Sequence, residues 1–417
     1  MIAANVPNLD LRMLAIVGFS ARSATQCAVR QGFEVTAVDM CADRDLICQC
    51  QKHYRLDDPK WPDVLNAMYP GVPLLLTGGM EHRTQWVDRC HLIANRGGPD
   101  GKQLSAMRSL ANWERWAALS DVGWPTTFRK IQDINSFPDH LSDGDWLLKP
   151  FQSAGGIGTI GLTNSIPLSQ HFIQNPNKAY IQRRLPGVSI GITFLSCEFG
   201  SALVGATAAW SPDSNSLPAM HYAYRGSYGP ISLTEEQIEK LQYFAGIVGR
   251  ESGLLGLWQA DFLMHRGSLT LLEINPRWSA SMDILDVCLN IRLVELHYEC
   301  ISKILSQAAF EQLAREGCKR AKKPIETMLG KLIVYAQHTF TVSHAQSDHW
   351  WANRWESDMK TLNNRSRFAD IPDAGTVVEK GSPILTVLAS GRSHESIFSN
   401  LQTAKSEVEA SWTENKL

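Results

Sequence analysis

Leu271-Leu272-Glu273-Ile274-Asn275-Pro276-Arg277 is the stretch on which the reading of this chain turns. Leu269 to Ile274 are strand formers, and Pro276, which cannot donate to a sheet ladder, ends the run. Successive side chains on a strand face opposite sides, so Glu273 and Asn275 share one face, Arg277 follows on that side, and Ile274 turns away. Leu257 to Met264 reads as a preceding strand, with His265-Arg266-Gly267-Ser268 as the turn between them. A hairpin of these two strands brings Asp261 beside Glu273. Asp261, Glu273 and Asn275 are then oxygen ligands of the kind that hold Mg²⁺ (or Mn²⁺), with Arg277 placed for anionic phosphate. The plainer reading is a half-exposed polar hairpin. Against it stands the cost of burying an acid in apolar surroundings without a cation or partner.

The chain's 417 residues suffice for two or three domains with their own cores, and 44% apolar with 20% charged residues is an ordinary globular composition. A net charge of −2 argues against nucleic acid or a membrane surface as partner. Nine cysteines (27, 41, 48, 50, 90, 197, 288, 300, 318) form no C-x-x-C pair, so reduced, buried thiols are expected. The N-terminus lacks a leader pattern and no apolar run reaches 18 residues, which makes the expected location cytoplasmic.

Working outward, Met13–Gly18, Ala21–Gln31 and Phe33–Asp39 form a strand-helix-strand unit with Gly32 closing the helix. The turn Gly18 to Arg22 lacks the second and third glycines of a dinucleotide fingerprint. Val72–Gly79 adds a buried strand ending in Gly-Gly. These pieces predict a doubly wound α/β domain whose strand ends, at Ser20 and Gly78-Gly79, edge a site between domains. Gly97 to Gly101 marks a boundary, and Leu104 to Ser120 a helix. Trp146-Leu-Leu-Lys149 then reads as a strand delivering a lysine to the loop Ser153-Ala-Gly155-Gly156-Ile-Gly158. Glycines let backbone N–H groups curl round phosphate oxygens and the lysine adds a point charge, although an ordinary glycine-rich hairpin has the same look. Ala179 to Gly187 is a strand running into a Pro-Gly turn, either a surface connection or a hinge for an adenine edge. Helices are expected from Glu235 to Glu251 and from Met282 to Leu305. His344, His349, Trp350, Trp351 and Trp355 suggest an exposed loop or packing edge rather than a metal site. Arg225, in the aromatic loop Tyr222 to Gly229, is a candidate contact for an acidic substrate.

In this order the three stretches resemble the ATP-grasp superfamily of carboxylate–amine ligases and biotin-carboxylase-like enzymes. The resemblance implies an α/β and α+β chain: an N-terminal doubly wound α/β domain over 1–104, an ATP-grasp fold over 105–310 and a small C-terminal β-rich domain over 325–417. Carried over by position, it makes Lys149 a contact to ATP phosphates and the loop bearing Ser153, Gly155, Gly156 and Gly158 the cover over them. Gln182, Arg183, Arg184 and Leu185 match the adenine hinge. Asp261, Glu273 and Asn275 match the metal ligands, and Arg277 the arginine that stabilises an acyl phosphate. Three departures stand out. Arg183 replaces the usual hinge glutamate, Ser189 replaces an acid for the ribose, and the helical phosphate base falls between Arg108 and Asn112. Ala369 to Ala389, with Gly330 to Ala336, resembles the C-terminal β domain of ATP-dependent carboligases that accompany tetrahydromethanopterin and methanofuran enzymes. The implied activity joins small-molecule carboxylate and amine substrates, with ATP and Mg²⁺, in making a one-carbon carrier, and the implied assembly is a homodimer. Bicarbonate activation and a non-catalytic nucleotide-binding protein are the rival readings.

Overall fold

β1 (Arg12–Val17), β2 (Phe33–Asp39), β3 (Lys52–Arg55) and β4 (Leu74–Leu76) form a parallel sheet in the order β3-β2-β1-β4. The helix Arg22–Arg30 crosses from β1 to β2 and gives way to Gly32 at φ +85°, where a side chain would be strained. Strand order reverses between β1 and β4, so the crevice of this sheet opens at Gly18–Ser20 and Thr77–Gly79, as expected for a doubly wound unit. The structure, a computed structural model, describes residues 12–91, 97–129, 146–162, 178–210, 221–323, 327–356 and 367–413.

A second sheet holds β5 (Thr127–Phe128), β6 (Trp146–Pro150), β7 (Ile160–Leu162) and β8 (Ala179–Arg183) in the order β5-β8-β6-β7. The largest sheet contains β9 (Val188–Cys197), β10 (Gly200–Ala209), β11 (Gly226–Gly229), β12 (Gly256–His265), β13 (Ser268–Asn275), β14 (Met328–Tyr335), β16 (Arg367–Ala369) and β18 (Pro383–Gly391). Its order is β13-β12-β9-β10-β11-β14-β18-β16, while β15 (Phe340–Thr341) pairs with β17 (Val377–Val378) alone. β14, β18 and β16 of the C-terminal segment therefore extend the sheet that carries the Asp261 hairpin, while β15 and β17 form a small two-stranded sheet of their own.

Alternation along β9 and β10 sends successive residues into two cores. Ile192, Phe194 and Leu203 pack with Leu241, Phe244 and Val248 of the helix Glu235–Ser252, while Leu195, Ala202 and Val204 pack with Leu285, Leu293 and the N-terminal domain. Thr234 and Gln237 make a capping box at the start of that helix, and Gly253 at φ +63° closes it.

Two expected helices are broken. Instead of Leu104–Ser120 there are Gly101–Met107 and Leu110–Leu119, because Ser109 stops the first and caps the second by accepting from the Asn112 N–H. Instead of Met282–Leu305 there are Met282–Cys288 and Leu293–Ile301, because the Asp286 carboxylate takes the Leu293 N–H at 2.9 Å. The thiols also differ from expectation: Cys41 and Cys48 are exposed, though all nine are unbridged. The histidine- and tryptophan-rich stretch is a capped helix, His344–Ala352, with Trp350 and Trp355 buried in packing.

Polar ties lock the N-terminal domain to both neighbours. Arg22, buried, donates to Asp370 at 2.8 and 3.2 Å, while Asp45 accepts the backbone N–H groups of Asp370 and Ile371. His297, also buried, accepts the Leu257 N–H of β12 on Nδ1 and reaches the Leu74 carbonyl of β4 with Nε2 at 3.1 Å. Burial pushes its pKa down from 6.5 to about 4, so the native state refuses a proton that the unfolded chain takes. Its stability contribution is complete above about pH 6.5 and is lost as pH falls towards 4, in total roughly 3 kcal/mol. Urea midpoints from pH 8 to pH 4 should fall more steeply for the wild type than for His297→Gln; parallel curves would refute this.

Candidate functional site

The hairpin of β12 and β13 turns on Arg266 at φ +50° and Gly267 at φ +85°, a two-residue turn that matches the twist of the flanking strands. Its register pairs Asp261 with Glu273 and Gln259 with Asn275, with an irregularity just beyond Asp261. The Asn275 amide donates to Asp261 Oδ2 at 3.0 Å and Gln259 donates to Asp261 Oδ1 at 2.7 Å. Ser281 in turn donates to Oε1 of the Gln259 side chain, so the Asp261 carboxylate is held from behind by an oriented chain. Burial, then the neighbouring Glu273, pushes the Asp261 carboxyl up. Burial alone would raise Glu273 too, but the cations of Arg108, Lys149 and Arg277 outweigh it and pull that carboxyl down. Two carboxylates and an amide oxygen converging on one face are a donor set that fits a hard divalent cation.

The cations come from three elements. Arg108, at the break between the two helices, donates to Glu273 Oε2 and Asn275 Oδ1 at 3.3 Å and to the Ile274 carbonyl at 2.9 Å. Asn112 instead turns back to the Ala106 carbonyl, so of the two it is Arg108 whose side chain reaches the hairpin. Lys149 on β6 donates to the Gln182 side chain at 3.1 Å and lies 5.6 Å from the Tyr180 ring. Arg277 donates to Asn275 Oδ1, to Ser279 Oγ and, through Nε, to Glu81 Oε1 at 3.1 Å.

Glu81 and His82 were not singled out in the sequence. They follow the Gly78-Gly79 turn, the one local signal that pointed there. Burial alone would raise the Glu81 carboxyl; Arg277 and Arg108 reverse that and keep it ionised. His82, whose pKa is lowered by burial and by the nearby Arg108, reaches the Ser153 carbonyl at 3.1 Å. That contact ties the N-terminal domain to the glycine loop. Gly155, Gly156 and Gly158 all have positive φ, and the Gly155 carbonyl accepts the Tyr224 N–H at 2.7 Å, so the loop lies down on Tyr222–Tyr224.

On the hinge, Gln182 is buried, with its amide between Lys149 and Thr127, and the Arg183 N–H is taken by the Thr126 carbonyl. Arg183 and Arg184 are exposed, Leu185 is half-buried, and Ser189 pairs across from Leu263 at the start of β9. The Arg225 guanidinium lies 6.0 Å from the Tyr335 ring, beside β14.

Residues 117–281 match the family model of an ATP-grasp domain. No curated protein sequence matches the chain. Among solved structures it is similar to an L-amino acid ligase from Bacillus licheniformis, with 14% identity, TM-score 0.64, and 96% of this chain and 97% of that one covered. It is similar to a carboxyaminoimidazole ribonucleotide synthase from Aspergillus clavatus complexed with ATP, with 10% identity, TM-score 0.66, and coverage of 96% and 99%. It is also similar to the biotin carboxylase domain dimer of the Hydrogenobacter thermophilus 2-oxoglutarate carboxylase, bound to MgADP, ADP and bicarbonate; there identity is 10%, TM-score 0.65, and coverage 91% and 86%. The chain has the ATP-grasp fold. Among the described residues no helix is long and apolar enough to cross a membrane.

Proposed function

We propose that the chain is an ATP- and Mg²⁺-dependent ligase that joins a carboxylate to an amine through an acyl phosphate. The observation that carries this reading is the Asp261–Glu273–Asn275 donor set ringed by Arg108, Lys149 and Arg277. Asp261, Glu273 and Asn275 would hold the metal, which supplies neutralisation of phosphate charge when bound. Lys149 and the N–H groups of the Ser153–Gly158 loop hold the phosphates. Because the Arg183 N–H is already used, the adenine edge meets the backbone further along, at Arg184-Leu185, and Ser189 faces the ribose. Arg277, oriented by Glu81, stabilises charge on the transferring phosphoryl group and the acyl phosphate, and Arg225 meets an acidic group on the substrate. The chemistry needs positioning and charge, and no nucleophilic side chain.

The resemblance of the C-terminal segment supports substrates that are precursors of a pterin or furan one-carbon carrier, with glutamate as the amine. The Hydrogenobacter likeness supports a homodimer. The test is ADP formation by the purified protein with a panel of carboxylates and amines, and separately with bicarbonate alone. Turnover that requires both a carboxylate and an amine supports the ligase. Turnover with bicarbonate alone favours the carboxylase-like rival, and none with any pair sinks the reading.

The loop offers a sharper check. A Cβ on Gly156, at φ +73°, would lie 2.1 Å from the Tyr222 carbonyl oxygen, whereas one on Gly155 would meet only the Tyr224 Cβ at 3.6 Å. Gly156→Ala should weaken ATP binding ~10-fold by keeping the loop from seating, with an unchanged melting temperature. Gly155→Ala should cost less, and equal losses would contradict the seated loop.

A further inference from the structure

Beyond the hairpin, a second set of metal-type donors lies at the carboxyl end of β2. One ligand atom each from Asp39, Cys41 and Asp43 lies within 4.8 Å of the others, and a tetrahedral ion would hold such atoms ~3.5 Å apart. Asp39 is fully buried; its Oδ1 accepts the Ala42 N–H at 3.0 Å and lies 2.8 Å from His53 Nε2, and its Oδ2 accepts the Ala21 N–H. Cys41 is exposed and directs its Sγ at the Phe19 carbonyl, 3.5 Å away. Asp43 is only 8% exposed, and its Oδ2 is buried with no hydrogen-bond partner. Asp43 faces three more carboxylates, Asp39, Asp45 and Asp370; of the nearby cations, Arg22 is committed to Asp370, and Arg55, beside Cys41, is paired with Asp57. A buried carboxylate oxygen without a partner beside an excess of negative charge is costly unless a cation or proton occupies the gap.

We propose that Asp39, Cys41 and Asp43 bind a divalent ion of the zinc class, with His53 orienting Asp39 from behind. A thiolate with carboxylates selects such an ion over Mg²⁺, because thiolate is a soft ligand that Mg²⁺ does not favour. Binding releases the Cys41 proton to solvent as the sulfur–metal bond forms. Cys41 sits at the mouth of the N-terminal crevice, its Sγ directed at the Phe19 carbonyl while the Phe19 N–H donates to the Gly78 carbonyl. This inference is independent of the ligase reading.

Co²⁺ reports the site, since thiolate ligation gives it a near-ultraviolet charge-transfer band that the sulfur-free hairpin cannot produce. The full-length protein, stripped with chelator and held in excess Mg²⁺, should develop the band with one equivalent of Co²⁺ and lose it when Zn²⁺ is added. Cys41→Ser, at an exposed position, should abolish the band, and Cys48→Ser should leave it intact. His53→Phe should weaken binding 10- to 100-fold, as loss of an outer orienting partner does. Zn²⁺ should also raise the melting temperature of the wild type and not that of Cys41→Ser. No band in the wild type, or a band surviving in Cys41→Ser, would overturn the site and leave Asp43 as a carboxyl neutralised by its own proton.

Discussion

Replacing Glu273 with Gln should abolish Mg²⁺-dependent ATP binding and lower ADP formation ~10³-fold or more, because the change deletes charge at the point where three cations converge. The substitution keeps the shape of the side chain, so the pairing with Asp261 and the turn at Arg266-Gly267 should survive. What changes is electrostatic. Arg108 and Lys149 lose the carboxylate they face, and Asp261, relieved of its neighbour's charge, titrates lower than in the wild type. Asp261 alone is a poor match for a divalent ion that also carries phosphates. Titration calorimetry of ATP with and without Mg²⁺ measures this directly. An Mg²⁺-dependent affinity in Glu273→Gln within ~3-fold of the wild type would remove the hairpin from the proposed chemistry.

The second large effect is expected at Arg277. Its four anchors, Glu81, Ser279, Asn275 and the Trp278 carbonyl, leave the guanidinium little freedom, so it arrives at the reacting group already oriented. Removing it should lower kcat ~10²- to 10³-fold while the Kd for ATP stays nearly constant, the signature of a contact that strengthens only as charge develops. Arg277→Lys should not rescue, since an ammonium cannot span the anchors that the guanidinium does. Arg277→Ala also strands Glu81, 2% exposed, as a buried unpaired charge, and breaking such a pair costs ~3–5 kcal/mol. The double variant Arg277→Ala/Glu81→Gln relieves that penalty and so separates catalysis from folding. Equal losses in ATP affinity and kcat would place Arg277 in ground-state binding instead.

Much of this was legible locally. The hairpin could be read because period-two alternation and a turn of known chemistry, His265 to Ser268, together set its register, and register set which side chains meet. The helix breaks at Ser109 and near Asp286 were missed because each depends on one side-chain cap within an otherwise helical pattern. Glu81 and His82 were missed because they sit on a single tight turn with no period. Arg108 stayed ambiguous because reaching Glu273 depends on how two helices dock, 165 positions from its partner. The Arg22–Asp370 tie, 348 positions apart, has no local signature at all.

That tie, with the continuity of the large sheet, has a practical consequence for what can be cut out of this chain. β11 pairs with β10 through only two residues, Tyr228 and Ser227, and its other edge is fully occupied by β14 from the C-terminal segment. A fragment ending near residue 310 would expose β11 as an unpaired template for other chains, and would leave Arg22 without Asp370, the carboxylate that accepts two of its hydrogen bonds. The ATP-grasp segment is thus not a portable module. Its smallest expressible unit reaches from the first strand to the last helix, and exchange between related chains would have to move all of it together.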